Sequence, residues 1–204
     1  DTIGWTGVTG GRRTAFDTGR AAIHAAEEIV GLMKARAALI WDMEEEDISF
    51  DKGTFLCATT EDTISFKDLS ARLMGTGGPI SCSVSDASPG SGPIIAGNLV
   101  DVEVDPDTGK VDILRYTAFM DVGTAIHPSY VEGQIQGGTV QGIGWALNEG
   151  YIYDENGSML NSSFLDYRMP TSLDVPMIDA VMIEVPNSKH PFGVRGVGEA
   201  PIIP

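Results

Sequence analysis

The sequence predicts an α+β fold, with mixed helices and sheets in two lobes, and three observations predict it. A long run of apolar residues at helical spacing lies near the start of the chain, and short β-prone segments follow it and recur after residue 98. Strands and helices do not alternate as they would in a regular βαβ array. A stretch crowded with Gly, Pro and Ser, about 75–97, then separates an N-terminal lobe over 1–92 from a C-terminal lobe over 98–204.

From Thr14 to about Arg36 the apolar positions Phe16, Ile23, Ala26, Ile29, Val30 and Met33 predict one long helix, entered from the loop Thr6-Gly7-Val8-Thr9-Gly10-Gly11. Residues 42–68 place acidic clusters between the β-prone pieces Ile48–Phe50 and Gly53–Ala58. Ser65 then caps a second, short helix. Past the 75–97 stretch, Leu99–Val104 and Lys110–Asp121 predict two strands, joined by the turn residues Asp105-Pro106-Asp107-Thr108-Gly109. Val131–Leu147 has helical spacing and also five glycines, each costing up to about 1 kcal/mol against alanine, so close packing must hold that helix. A hairpin turning at Asp154–Gly157 and a strand over Ile178–Val185 precede the terminal Gly/Pro segment.

Composition narrows the function. The chain has 204 residues, of which 29 are acidic and 13 basic, for a formal net charge of −16. That charge opposes nucleic acid and anionic lipid as partners. No apolar run approaches the roughly 20 residues of a membrane helix. Cys57 and Cys82 lie far apart without a CxxC, so an iron–sulfur centre would have to sit on other polypeptide. No Gly-rich loop follows a strand as GxGxxG or ends in Gly-Lys-Ser/Thr, which sets a nucleotide-binding fold aside.

Three segments carry candidate chemistry. Gly10-Gly11-Arg12-Arg13-Thr14 is a small-residue loop before a helix; backbone N–H groups and the helix N-terminus there suit anions and oxo ligands, while the bland reading is an ordinary loop and helix start. In Val131–Gly144, Gln134 offers an amide that donates and accepts at once, among glycines that let a bulky group approach the backbone. Gln141 reads equally well as a packing residue, and His127, before Pro128, as a turn residue rather than a metal ligand. In the third segment, Pro191–Pro201, Glu199 follows Gly-Val-Gly, and this pattern alone fits either a catalytic carboxylate or an acidic residue at a helix N-terminus.

Together, and in this order, the segments resemble the xanthine dehydrogenase and aldehyde oxidase family of molybdenum hydroxylases, in the C-terminal part of its molybdopterin-binding large subunit. The resemblance spans most of 7–204 and is weakest over 37–92. It implies a fold of the molybdopterin-binding domain type. Glu199 would be the general base in oxidising aldehydes or N-heterocycles with water-derived oxygen, and a largely buried position would tune its pKa upward. Gly10, Gly11, Arg12, Arg13 and Thr14 would line the cofactor, with Gln134 and Gln141 as further contacts and no side chain ligating the metal. Arg195 would serve substrate or loop positioning.

The cofactor implied is molybdenum-molybdopterin, in the cytosine dinucleotide form, with [2Fe–2S] and FAD on other subunits or regions. The implied partners are the remaining part of the molybdopterin subunit, an iron–sulfur subunit and an FAD subunit, in a cytoplasmic oligomer acting on a small molecule. The family's upstream segments have no counterpart here, so a fragment or split piece, inactive alone, is expected. A non-catalytic, cofactor-holding scaffold of the same fold is the alternative.

Overall fold

The computed structural model describes residues 7–10, 14–86, 92–190 and 192–203. The chain divides into two compact units, Asp17–Ala87 and a larger one that joins Asp1–Phe16 to Ser88–Pro204. The second unit resumes inside the Gly/Pro/Ser-rich stretch. Residues up to Phe16, placed by the sequence with the N-terminal lobe, belong with the C-terminal one.

A π-helical turn over Thr14–Thr18 carries the chain into the Asp17–Ala87 unit and its α1, Gly19–Trp41, which runs past the expected end at Arg36. It stops at Asp42, which adopts left-handed φ and ψ of 55° and 49° and returns its N–H to Ala38 O. Strands β1 (Ile48–Asp51), β2 (Thr54–Cys57) and β3 (Thr63–Ser65) form an antiparallel sheet in that order. Lys52 and Gly53 both take positive φ, the twist that a two-residue hairpin demands. Ser65 caps α2, Phe66–Ala71, by accepting the Asp68 N–H at 3.1 Å, as expected. Met33, Ala37, Ile48, Phe55, Ile64 and Leu69 make the core.

The larger unit is built on β4 (Ala96–Val104), β5 (Val111–Asp121) and β6 (Ile178–Ile183). β4 and β5 form the expected hairpin, with a bulge at Asp101/Val102. Asp105 organises its turn, its carboxylate accepting Asp107 N–H at 2.9 Å and Thr108 Oγ1–H at 2.7 Å. β6 pairs parallel to β5, so α3 (Pro128–Leu147) and the segment after it form one crossover, which the sequence reading did not foresee.

Proline at its start suits α3, whose Ile135 and Ile143 join Tyr116, Ala118, Met120 and Ile178 in one core, with Thr139 buried between them on the helix. The expected hairpin after α3 reduces to a single bridge, Tyr153 to Met159, around a turn held by Asp154. At the C-terminal end of α3, Glu149 accepts a 2.7 Å hydrogen bond from Tyr167, and its carboxylate holds that phenol well above the usual pKa. No helix among the described residues is long and apolar enough to cross a membrane.

Candidate functional site

Glu199 stands at the N-terminal end of a single 3-10 turn, Ala200–Ile202, which also contains Pro201. Three residues have no appreciable macrodipole, so packing, not helix charge, fixes this carboxylate. The packing is against α3. A methyl group added at Gly138 would meet Pro201 Cβ at 2.9 Å, and one at Gly142 would meet Ile202 O at 3.1 Å. These two glycines, four residues apart and so on one helix face, let the turn lie directly on the helix backbone. Gly144 is likewise closed in, by Glu149 and Pro170, while Gly133 and Gly137 face open space. Of the five glycines, three thus admit the close packing expected to hold this helix.

The polar groups gather around that turn. A methyl group at Gly198 would come 4.0 Å from Gln134 Oε1, and one at Gly10 would come 3.9 Å from Glu199 Oε1. Gln134 and Glu199 thus flank Gly198, with Gly10 across from the carboxylate. Gln141 lies two turns along the same exposed face of α3 that carries Gln134, Gly133 and Gly137. Thr14 sits in the π-helical turn and donates its hydroxyl to Thr9 Oγ1 at 3.1 Å. Gly11, Arg12 and Arg13 lie outside the described residues.

Glu199 is exposed, which corrects the expectation of a largely buried base. The reason is geometric: Pro201 takes the inward position of the turn, and the carboxylate is left on its outer side.

The loop leading to Glu199 is held by Arg195, which the sequence offers for substrate or loop positioning, and by groups that the sequence did not single out. Arg195 Nε lies 2.9 Å from Asp121 Oδ2, both side chains being less than a fifth exposed; its N–H is not aligned for a hydrogen bond, so the contact is one of charge. Arg195 also donates from Nη1 to Pro93 O at 2.9 Å. Asp121 spends its other oxygen on the N–H groups of Gly123 and Val185, at 3.0 and 3.3 Å. Gly193 O accepts from both Thr124 and Asn187, and Gly123 bridges Val194. Gly123, at φ +68°, is required here, since a side chain would strike Gly193 O at 2.3 Å.

His190 completes the framework. Its ring is 5% exposed, accepts Phe192 N–H on Nδ1 at 3.2 Å and lies 3.0 Å from Ala15 O through Nε2. Asp121 was legible only as a strand end. His190 had a weak signal, a histidine between Lys189 and Pro191 in a loop rich in Gly and Pro.

The fit to a bulky, anion-bearing cofactor can be judged on this geometry. Glycine at 10, 133, 137 and 198 leaves free the positions that side chains would occupy beside the Glu199 carboxylate, the Gln134 amide and the open helix face. Gln134 and Gln141 supply donors and acceptors on one exposed surface, and among the described residues no group of three His, Cys, Asp or Glu could hold a metal directly. The donors suit a group held through its organic part.

A family model described as a molybdopterin cofactor-binding domain matches residues 1–176. The chain is 32% identical over 203 residues to the 6-hydroxypseudooxynicotine dehydrogenase complex subunit gamma of Paenarthrobacter nicotinovorans, covering 94% of this chain and 25% of that protein. Its structure is similar to CO dehydrogenase from Oligotropha carboxidovorans, with TM-score 0.79 and 28% identity over 96% of this chain and 25% of that one. It is also similar to quinoline 2-oxidoreductase from Pseudomonas putida 86, with TM-score 0.77 and 30% identity over 94% of this chain and 25% of that one. The chain spans about a quarter of the length of the curated relatives it matches.

Proposed function

The chain belongs to the molybdopterin cofactor-binding domain family, within the xanthine dehydrogenase and aldehyde oxidase group, and on that premise we propose that it supplies the base-bearing wall of a molybdenum hydroxylase site. The observation that carries this reading is the meeting of Gly10, Gln134 and Glu199 around Gly198, three parts of the sequence brought to one place.

The molybdenum and its pterin, when bound, would supply the two-electron oxidation of the substrate. Gln134 would hold the organic part of the group through its amide, with Gln141 further along the same face, and Gly133 and Gly137 would admit it close to the helix backbone. The 10–14 loop would face the same group with backbone N–H donors. Glu199 would receive, on a carboxylate oxygen, the proton released as water-derived oxygen is committed to the substrate carbon. General-base help of this kind is worth about 10² to 10⁴ in rate. Arg195, engaged with Asp121 and Pro93, supports loop positioning rather than substrate contact.

By their names the relatives act on 6-hydroxypseudooxynicotine, carbon monoxide and quinoline, so the candidate substrates range from a small gas to N-heterocycles. Further polypeptide would cover the outer side of Glu199 and carry the [2Fe–2S] and FAD groups, consistent with the relatives that are subunits of complexes. The pterin would be in its cytosine dinucleotide form.

The test is the complete assembly carrying Glu199→Gln. Molybdenum and pterin content should match the wild type while turnover falls by about 10² to 10⁴. Unchanged turnover with full molybdenum would instead assign this chain a cofactor-holding role without catalysis.

A further inference from the structure

We infer that His190 is a positioning residue: it ties the Gly10 loop to the loop that bears Glu199, and so sets the opening between them. The inference rests on the proposed site, but its structural part can be tested alone.

Two segments at opposite ends of the chain meet at this imidazole. Because Nδ1 accepts the Phe192 N–H, the ring proton belongs on Nε2, and Nε2 then donates to Ala15 O at 3.0 Å. One neutral tautomer satisfies both contacts. Phe16, 1% exposed, packs its ring 4.8 Å from that of His190, which fixes the plane of the imidazole beside Ala15. On the N-terminal side, Ala15 adjoins Thr14, whose hydroxyl bonds Thr9, the residue before Gly10. On the C-terminal side, His190 receives Gly193 N–H on its own carbonyl and donates its N–H to Asn187 O, and the chain passes through the Asp121–Arg195 pair to Glu199. The loop that carries the base thereby also grips the segment facing it.

A buried, oriented donor of this kind differs from simple ring packing in a way substitutions can separate. The amide of His190→Gln places a donor near the Nε2 position and can still reach Ala15 O. His190→Asn keeps an acceptor near Nδ1 for Phe192 but cannot reach Ala15. His190→Phe keeps the ring and loses both bonds.

The experiment is hydrogen–deuterium exchange on the complete assembly with each variant, together with molybdenum content, kcat and KM. In His190→Asn and His190→Phe, amides of residues 14–18 should exchange about tenfold faster, with β4 and β5 unchanged, and kcat should fall more than KM rises. His190→Gln should restore both. Equal exchange in the Gln and Asn variants, or wild-type exchange over 14–18 in either Asn or Phe, would overturn the inference, and failure of His190→Phe to fold leaves the Gln and Asn pair to decide. Full activity of Glu199→Gln would remove the base but leave the exchange result standing, so the two readings fail separately.

Discussion

At the scale of single residues, the five α3 glycines make opposite predictions although their sequence context is similar. Gly137 meets nothing within 4 Å, so Gly137→Ala should gain the helix propensity difference, up to about 1 kcal/mol, in unfolding experiments. The same methyl at Gly138 would meet the rigid ring of Pro201 at 2.9 Å. That overpacking outweighs the propensity gain, and Gly138→Ala should lose about 1 to 2 kcal/mol and displace the turn that holds Glu199. Molybdenum content of the two variants adds a second readout: if the open face receives the cofactor, Gly137→Ala is the more stable protein yet retains less metal. Equal metal in Gly137→Ala and wild type would put the cofactor elsewhere. From sequence, the glycines were legible as a demand for close approach; which of them approach protein and which face open space depends on where residues 201 and 202 return, information no local pattern contains.

At the scale of elements, the hairpin of β4 and β5, the Ser65 cap and the β6 strand were legible because each has a local cause: turn chemistry, a capping hydroxyl, alternation. The terminal loop was legible as a carrier of Glu199, with Arg195 for substrate or loop positioning, but the partners that clamp it were not, because they are non-local. Asp121 reads as the last residue of β5, and only the return of the chain brings Arg195 to within 2.9 Å of it. Removing one partner of a largely buried ion pair costs about 3 to 5 kcal/mol, and the lower end applies here because the N–H is poorly aligned on the carboxylate. Asp121→Ala also strands the N–H groups of Gly123 and Val185, which adds to the cost. Urea unfolding should therefore show a loss of about 3 kcal/mol or more, whereas a loss below about 1 kcal/mol would mean the pair does not hold the loop.

At the scale of the whole molecule, two features combine. The sheet face opposite α3 leaves Leu99, Phe119, Val181 and Ile183 between 39% and 55% exposed, and Glu199 is exposed on the outer side of its turn. A base open to water meets a solvent that competes for its proton and weakens every electrostatic interaction around it, so the rate benefit of a general base requires walls that the described residues do not provide. With the relatives about four times as long, the proposal that further polypeptide closes the site leads to a definite outcome for the isolated chain. It should fold, since each unit has its own apolar core, and it should bind the apolar dye ANS through the uncovered sheet face. It should nevertheless show no substrate oxidation with an artificial electron acceptor, even after exposure to molybdenum cofactor. Appreciable turnover by the chain alone would show that the exposed carboxylate suffices, and would remove the need for any covering partner at Glu199.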